Sequence, residues 1–240
     1  MKLYKQLLSV TGASLLLFGT SLLAQEQSPR DVMHNAFKYL QGLDKYAFKA
    51  VVIDNEKAED GSTEEYRFDT SVKVDRPDKF QINVKSASKD RSNYLHNGVY
   101  TMMDHQFNYY GQIKASDTID GTLDYLFEEY GIRSPLAQLL YSEMQKRTKF
   151  TKSKNFGTVM VDGTECDYVA FSDGARDIHI WVETGDKPLI KAYSIIDKMS
   201  EDDYRINTSL VWDIDAKISD SDFIFKAPKG AEKISVQSPY

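Results

Sequence analysis

Hydrophobic and polar residues alternate with a period of two over most of the chain. Tyr66, Phe68, Thr70, Val72 and Val74 are interleaved with Arg67, Asp69, Ser71 and Lys73, which places one side of a strand in a core and the other in water. Phe80, Ile82 and Val84 repeat the pattern after the turn residues Arg76-Pro77-Asp78. Shorter aromatic strands follow around Tyr94, over 99–103 behind His96-Asn97-Gly98, and over 107–113. Beyond residue 154 the same period predicts strands at 156–161, 168–171, 178–183, 189–196, 205–214 and 223–225. The turn pairs Asp162-Gly163, Asp173-Gly174 and Gly185-Asp186 separate several of them.

Two stretches change period. Ser28 followed by Pro29 is an N-cap with proline at the first helical position, and Met33, Ala36, Phe37 and Leu40 recur at spacings of three and four. This predicts a helix over about 29–42. Between 117 and 147, Ile119, Leu123, Leu126 and Phe127 share a helical face that stops at Gly131. Ser134-Pro135 then opens a second helix carrying Leu136, Leu139, Leu140 and Met144, with Lys146-Arg147 at the negative end of its dipole.

About eleven strands with hairpin connections are more than a twisted sheet usually keeps open, so the sheet must curl. The expected fold class is mainly β (α+β): a single strongly curved antiparallel sheet, a half-barrel wrapped around two to three helices. Without repeats, low-complexity tracts or a linker, residues 25–240 read as one curved-sheet domain with a helical lid.

The N-terminus adds a destination. Lys2 and Lys5 precede an uncharged, leucine-rich stretch from Gln6 to Ala24, the order of a secretory signal peptide (1–24) with cleavage expected after Ala24. Retention as an anchor is the alternative, since about eighteen uncharged residues just span a bilayer. Gln25 occupies the place where a lipoprotein needs its acylated cysteine. Taking Lys2 and Lys5 from the 30 basic side chains, and none from the 36 acidic ones, leaves a mature charge of −8. That balance argues against nucleic acid, which selects cationic surfaces. With Cys166 as the sole cysteine there is no internal disulfide.

Candidate chemistry is sparse. His34, His96, His105 and His179 are scattered without metal-ligand spacing, and His179 is expected on the solvent face between Ile178 and Ile180. There is no Gly-x-Ser-x-Gly elbow, phosphate loop or dinucleotide fingerprint. Cys166 enters a strand behind a turn, where a small buried side chain is the ordinary outcome. Glu201-Asp202-Asp203 and the group Asp213, Asp215, Asp220 and Asp222 lack the spacing and glycine of a calcium loop. Asn207-Thr208-Ser209 matches a glycosylation acceptor but falls inside a strand. No catalytic residue, metal ligand or cofactor is expected.

What remains is apolar content, with 15 Tyr and 12 Phe. It builds either a packed core or the wall of a cavity between sheet and helices. Five stretches bear on this choice: Val74-Asp75-Arg76-Pro77-Asp78-Lys79; the block 123–142 with Tyr130-Gly131-Ile132 and Pro135-Leu136-Ala137-Gln138-Leu139-Leu140-Tyr141-Ser142; Val161-Asp162-Gly163 leading to Cys166; Ile180-Trp181-Val182-Glu183 with Gly185-Asp186-Lys187-Pro188-Leu189; and Phe225-Lys226-Ala227-Pro228-Lys229-Gly230-Ala231. Together they resemble a family of predicted periplasmic bacterial proteins of unknown function whose fold is that of the outer-membrane lipoprotein carriers (LolA/LolB-like). The resemblance spans nearly all of the mature chain and implies a curved antiparallel sheet around helices. It implies no activity, because a shared fold does not transfer function.

The resulting expectation is a periplasmic, non-enzymatic protein that holds a lipid, a lipoprotein acyl chain or another hydrophobic envelope component. Phe68, Phe80, Ile82, Tyr94, Leu126, Leu139 and Leu140 would line its cavity, with the helices from 118 to 147 as a lid. The alternative is an envelope protein-protein interaction module with a filled core, using its outer surface or a sheet edge.

Overall fold

The structure is a computed structural model that describes residues 27–58, 60–132, 136–147, 150–200 and 204–238. The expected signal segment, Ser134-Pro135 and Glu201-Asp202-Asp203 lie outside the described residues. No helix among the described residues is long and apolar enough to cross a membrane.

Helix α1 (Pro29–Gln41) begins where the sequence places its start. The Ser28 hydroxyl accepts the Asp31 N–H at 3.2 Å, and Val32, Met33, Ala36 and Leu40 form its buried stripe. The chain then makes a long hairpin of β1 (Lys45–Lys57) and β2 (Thr63–Asp75), paired from Lys45↔Asp75 to Lys57↔Thr63. Strands β3 (Lys79–Lys85), β4 (Asp90–His96), β5 (Val99–Asp104) and β6 (Tyr109–Lys114) continue the meander. Asn97 and Gly98, at φ of 51° and 67°, make the two-residue turn between β4 and β5 that favours such pairs.

Helix α2 (Ile119–Tyr130) is capped by the Thr118 hydroxyl, which accepts the Gly121 N–H, and ends at Gly131 in the left-handed region (φ 64°). A 3-10 turn (Ala137–Leu139) and a single helical turn α3 (Met144–Arg147) follow. The chain then returns as β7 (Lys152–Val161), β8 (Thr164–Ser172), β9 (Arg176–Glu183), β10 (Ile190–Asp197) and β11 (Arg205–Asp213). Strand β11 pairs antiparallel with β1. A short β12 (Glu232–Ile234) adds to β6 in parallel. Among the described residues the sheet is thus a single open ladder of 12 strands, in the order β12-β6-β5-β4-β3-β2-β1-β11-β10-β9-β8-β7.

Cross-strand partners share a face, so the register fixes which side chains look inward. Tyr46, Phe48, Ala50 and Val52 of β1 stand opposite Val74, Val72, Thr70 and Phe68 of β2, and the alignment propagates to Tyr100 on β5 and Val169 on β8. All but Thr70 and Phe68 belong to one buried cluster with α1, α2 and the 3-10 turn, and Phe68 packs against it. From β5 to β8 a flat sheet would measure about 38 Å at 4.8 Å per strand. Two helices about 10 Å across cover that width only if the sheet bends around them.

Four local expectations are corrected. The helix expected from 134 to 147 is broken: two of its main-chain carbonyls serve the sheet, Leu139 accepting from the Tyr46 hydroxyl (2.8 Å) and Leu140 from Arg76 Nη1 (2.7 Å). Residues 223–225 form no strand. They follow a 3-10 turn (Asp220–Asp222) that Ser219 and Asp222 cap reciprocally, and Phe223 is wholly buried. Phe107 lies in the turn before β6, and Phe127 is 44% exposed while Thr122 takes a buried place on α2. Strand β12 is an addition to the expected count.

Candidate functional site

The helices sit over one end of the inward face, where β1 begins and β2 ends. There the Ile119 N–H donates to the Pro77 carbonyl and the Arg76 N–H to the Asp44 carbonyl, both at 2.8 Å. Under this cover the interior is filled. Phe80, Leu126, Leu139 and Leu140 are all buried in the central cluster.

Further along the strands the same face is only half covered. Phe68 stands opposite Val52, Ile82 opposite Val72, Met102 opposite Asn93, and Ile195 opposite Ile206. These five large apolar side chains, Phe68, Ile82, Met102, Ile195 and Ile206, are half-buried and packed against the core. By register they share the inward face with Val52 and form a half-buried apolar stretch, the trough. Its rim is polar. The Tyr204 hydroxyl donates to Asp54 Oδ2 at 2.8 Å, and Arg91 Nε donates to Asp104 Oδ2 at 2.9 Å. Lys89 Nζ lies 5.3 Å from the centre of the Phe68 ring.

Of the seven residues singled out as lining, Phe68 and Ile82 are half-buried on this stretch of the inward face. Phe80, Leu126, Leu139 and Leu140 lie in the filled half. Tyr94 is corrected: it pairs with Gln81 and Thr101, so it has the opposite parity from Leu95 and points to the outer face. There it packs on Phe225 at 5.5 Å, with Tyr110 on the same ring at 5.0 Å. Met102, Ile195 and Ile206 went unnamed, although the two-residue period combined with the register identifies them.

The cover is tied down by polar groups. Arg76 Nη2 donates to the Tyr46 hydroxyl (3.0 Å) as well as to the Tyr141 carbonyl (3.4 Å). Asp120 accepts the Ser142 N–H at 2.9 Å and its hydroxyl at 2.8 Å. Asp124 accepts the Tyr141 hydroxyl at 3.0 Å and a two-pronged contact from Arg147 at 2.7 and 2.8 Å. The Arg147 contact holds the Asp124 carboxyl below its ordinary range. Burial, aided by Asp124, pushes the Tyr141 hydroxyl up to about 12.

The candidates Cys166, His179, Asp220 and Asp222 lie outside this trough. Cys166 is buried in β8, and burial raises its thiol to about 11, far from a reactive thiolate at neutral pH. His179 faces out, its ring hydrogen-bonded to the Tyr168 hydroxyl at 2.7 Å. Burial lowers its pKa. Asp220 and Asp222 are engaged by Lys79, His96 and Lys73. Among the described residues no three His, Cys, Asp or Glu side chains are grouped to hold a metal ion.

A family model described as "Predicted periplasmic protein (DUF2092)" matches residues 30–237. No curated protein matches the chain. Among solved structures, an uncharacterized conserved protein from Thermus thermophilus is similar at a TM-score of 0.52 and 10% identity, over 88% of this chain and 100% of that one. LprF from Mycobacterium bovis is similar at 0.50 and 14%, over 85% and 97%. A LolA superfamily protein from Nitrosomonas europaea aligns at 0.39 and 9%, over 83% and 98%. At these identities the likeness to the first two is one of fold.

Proposed function

The chain belongs to this DUF2092 family of predicted periplasmic proteins, and from that premise we propose that it is a non-enzymatic binding protein that holds a lipid or a lipoprotein acyl chain against the inward face of its sheet. The observation that carries this reading is the half-buried apolar trough of Phe68, Ile82, Met102, Ile195 and Ile206, continuous with the core and bordered by hydrogen-bonded polar groups. An apolar floor with a wet rim suits a ligand whose chain is greasy and whose end is polar. Each methylene taken from water contributes about 0.8 kcal/mol. About eight methylenes would therefore supply roughly 6 kcal/mol before the costs of association.

A longer chain needs the space now held by Leu139 and Leu140. The segment 136–147 then acts as a lid, anchored by the hydrogen bonds of Tyr46, Arg76, Asp120 and Asp124 rather than by a long helix. The protein, purified from its native host and extracted for mass spectrometry, is expected to yield bound lipid, and the emptied protein to take up a fluorescent fatty acid. Finding neither would remove the reading.

A second reading is favoured by the filled half of the interior. An envelope module would use the outer edge of β7, one of the two end strands of the ladder, to accept a strand of a partner protein. A stoichiometric partner recovered from the envelope, lost on substituting proline at Val159, would support it.

A further inference from the structure

Gly111 of β6 and Met102 of β5 are cross-strand partners on the inward face, and Met102 belongs to the trough. Glycine supplies no side chain there. Val236, two residues beyond β12, takes the place instead: a Cβ added to Gly111 would collide with its Cγ2 methyl. The chain thus turns inward after pairing along Tyr109–Gly111, and it reaches the last turn of α2, where the Ser238 hydroxyl donates to the Glu129 carbonyl at 2.7 Å. Residues 235–238 form a strap from the sheet edge to the helix, closing the flank of the trough beside Met102.

The strap is lightly fastened. Glu232, Lys233 and Ile234 are exposed, their pairing with β6 is three residues long, and the Ser238 hydrogen bond is exposed too. Val236 is the one half-buried apolar side chain between 232 and 238. The cover over the filled half is held differently: Leu139 and Leu140 are buried, and their carbonyls accept buried or part-buried hydrogen bonds from Tyr46 and Arg76. Segments with few buried apolar contacts and exposed hydrogen bonds open at the lowest free energy. The base of the strap is firm, because Phe223 is wholly buried and Phe225 packs on Tyr94 and Tyr110. Opening is therefore confined to the end of the chain beyond that anchor.

We propose that residues 235–238 are a side gate through which an acyl chain enters the trough. When Val236 leaves Gly111, bare backbone beside Met102 is uncovered, and glycine lets a methylene chain approach it as closely as the valine did. The chain slides in across the β6 flank while the cover of Leu139 and Leu140 stays shut. This gate rests on the reading of the trough as an acyl-chain site and adds the route by which that site is reached.

Stopped-flow uptake of a fluorescent fatty acid by the full mature protein, together with hydrogen exchange of the ligand-free protein, tests the gate. Exchange is expected to be faster at 234–238 than at 139–142. Val236→Ala, which trims an exposed segment and keeps a cooperative melt, should speed uptake about fivefold, the share of closure that two half-buried methyl groups contribute. Gly111→Ala, which pushes Val236 off, should speed it too. Tyr46→Phe, which loosens the cover, should speed uptake less than either. The gate is overturned if exchange at 234–238 is the slower of the two. It is equally overturned if the fatty acid is taken up but Val236→Ala leaves the rate unchanged, or if Tyr46→Phe speeds uptake more. Absence of uptake in every variant, with fast exchange at 234–238, would instead remove the acyl-chain reading, and the gate with it.

Discussion

The hydroxyl of Tyr46 donates a 2.8 Å hydrogen bond to the carbonyl of Leu139, a residue 93 positions later in the chain. Tyr46 is the second residue of the first strand and wholly buried, whereas Leu139 belongs to the broken helical segment that covers it. The bond joins floor to cover, and Arg76 donates into the same hydroxyl. Burial raises the Tyr46 hydroxyl well above the ordinary tyrosine range, so it stays protonated and donating across the physiological range.

Removing that hydroxyl therefore loosens the cover without emptying the core. Tyr46→Phe is expected to cost about 1–2 kcal/mol, because the buried Leu139 carbonyl and an Arg76 nitrogen each lose a partner. Denaturant unfolding measures the loss. Hydrogen exchange should quicken at residues 139–142 more than in β1 itself.

A second contact closes the opposite flank. Gly111 on β6 lies under Val236 of the segment after β12, where an added Cβ would collide with a Val236 methyl. Gly111→Ala should push that segment away, exposing residues 232–238 to fast exchange while the hairpin pairing of β5 with β6 persists. Unchanged protection there would mean that Val236 moves aside at no cost.

The turn that precedes this segment carries an acid-sensitive anchor. The ion pair with Lys73, aided by the Ser219 N–H, holds Asp222 at about 2, below the ordinary 3.8. A carboxyl depressed in the folded state contributes stability that is complete above its unfolded value and fades as pH falls toward the folded one. The window is thus about pH 4 to 2. With Lys73 partly exposed, the contribution is about 1 kcal/mol. Thermal melts across this range should show Asp222→Asn less stable near neutrality and less steeply destabilised by acid.

The strands were legible because their two-residue alternation survives wherever one face meets water. It failed on β4, where Phe225 covers the outer face and Leu95 fills the inner one. With apolar groups on both sides, Tyr94 could not be assigned to a face from its own segment. The helix beyond Ser134 was lost for another reason. Its apolar spacing is intact, but Tyr46 and Arg76 draw its carbonyls away, and those residues lie far off in sequence. Strand β12 offers no pattern at all, being three exposed residues held by backbone pairing alone. For the trough, Phe68 and Ile82 were readable from β2 and β3, but Ile195 and Ile206 enter the opposite wall only because β11 returns to pair with β1.

A charge placed in the trough separates its role from that of the packed core. Ile82→Glu is expected to lower fatty-acid affinity at least tenfold, since a carboxylate would face the chain at about 1.4 kcal/mol per factor of ten. Ile82 is half-buried, so a cooperative melt should remain. Tyr94→Ser, on the outer face, should leave affinity unchanged.

The most direct measurement is to load the protein with a fatty acid bearing a diazirine at the chain end, irradiate it, and locate the attached carbon by peptide mass spectrometry. Attachment to Phe68, Ile82, Met102, Ile195 or Ile206 is the predicted result. Attachment confined to the outer face around Tyr94 and Phe225 would contradict the account.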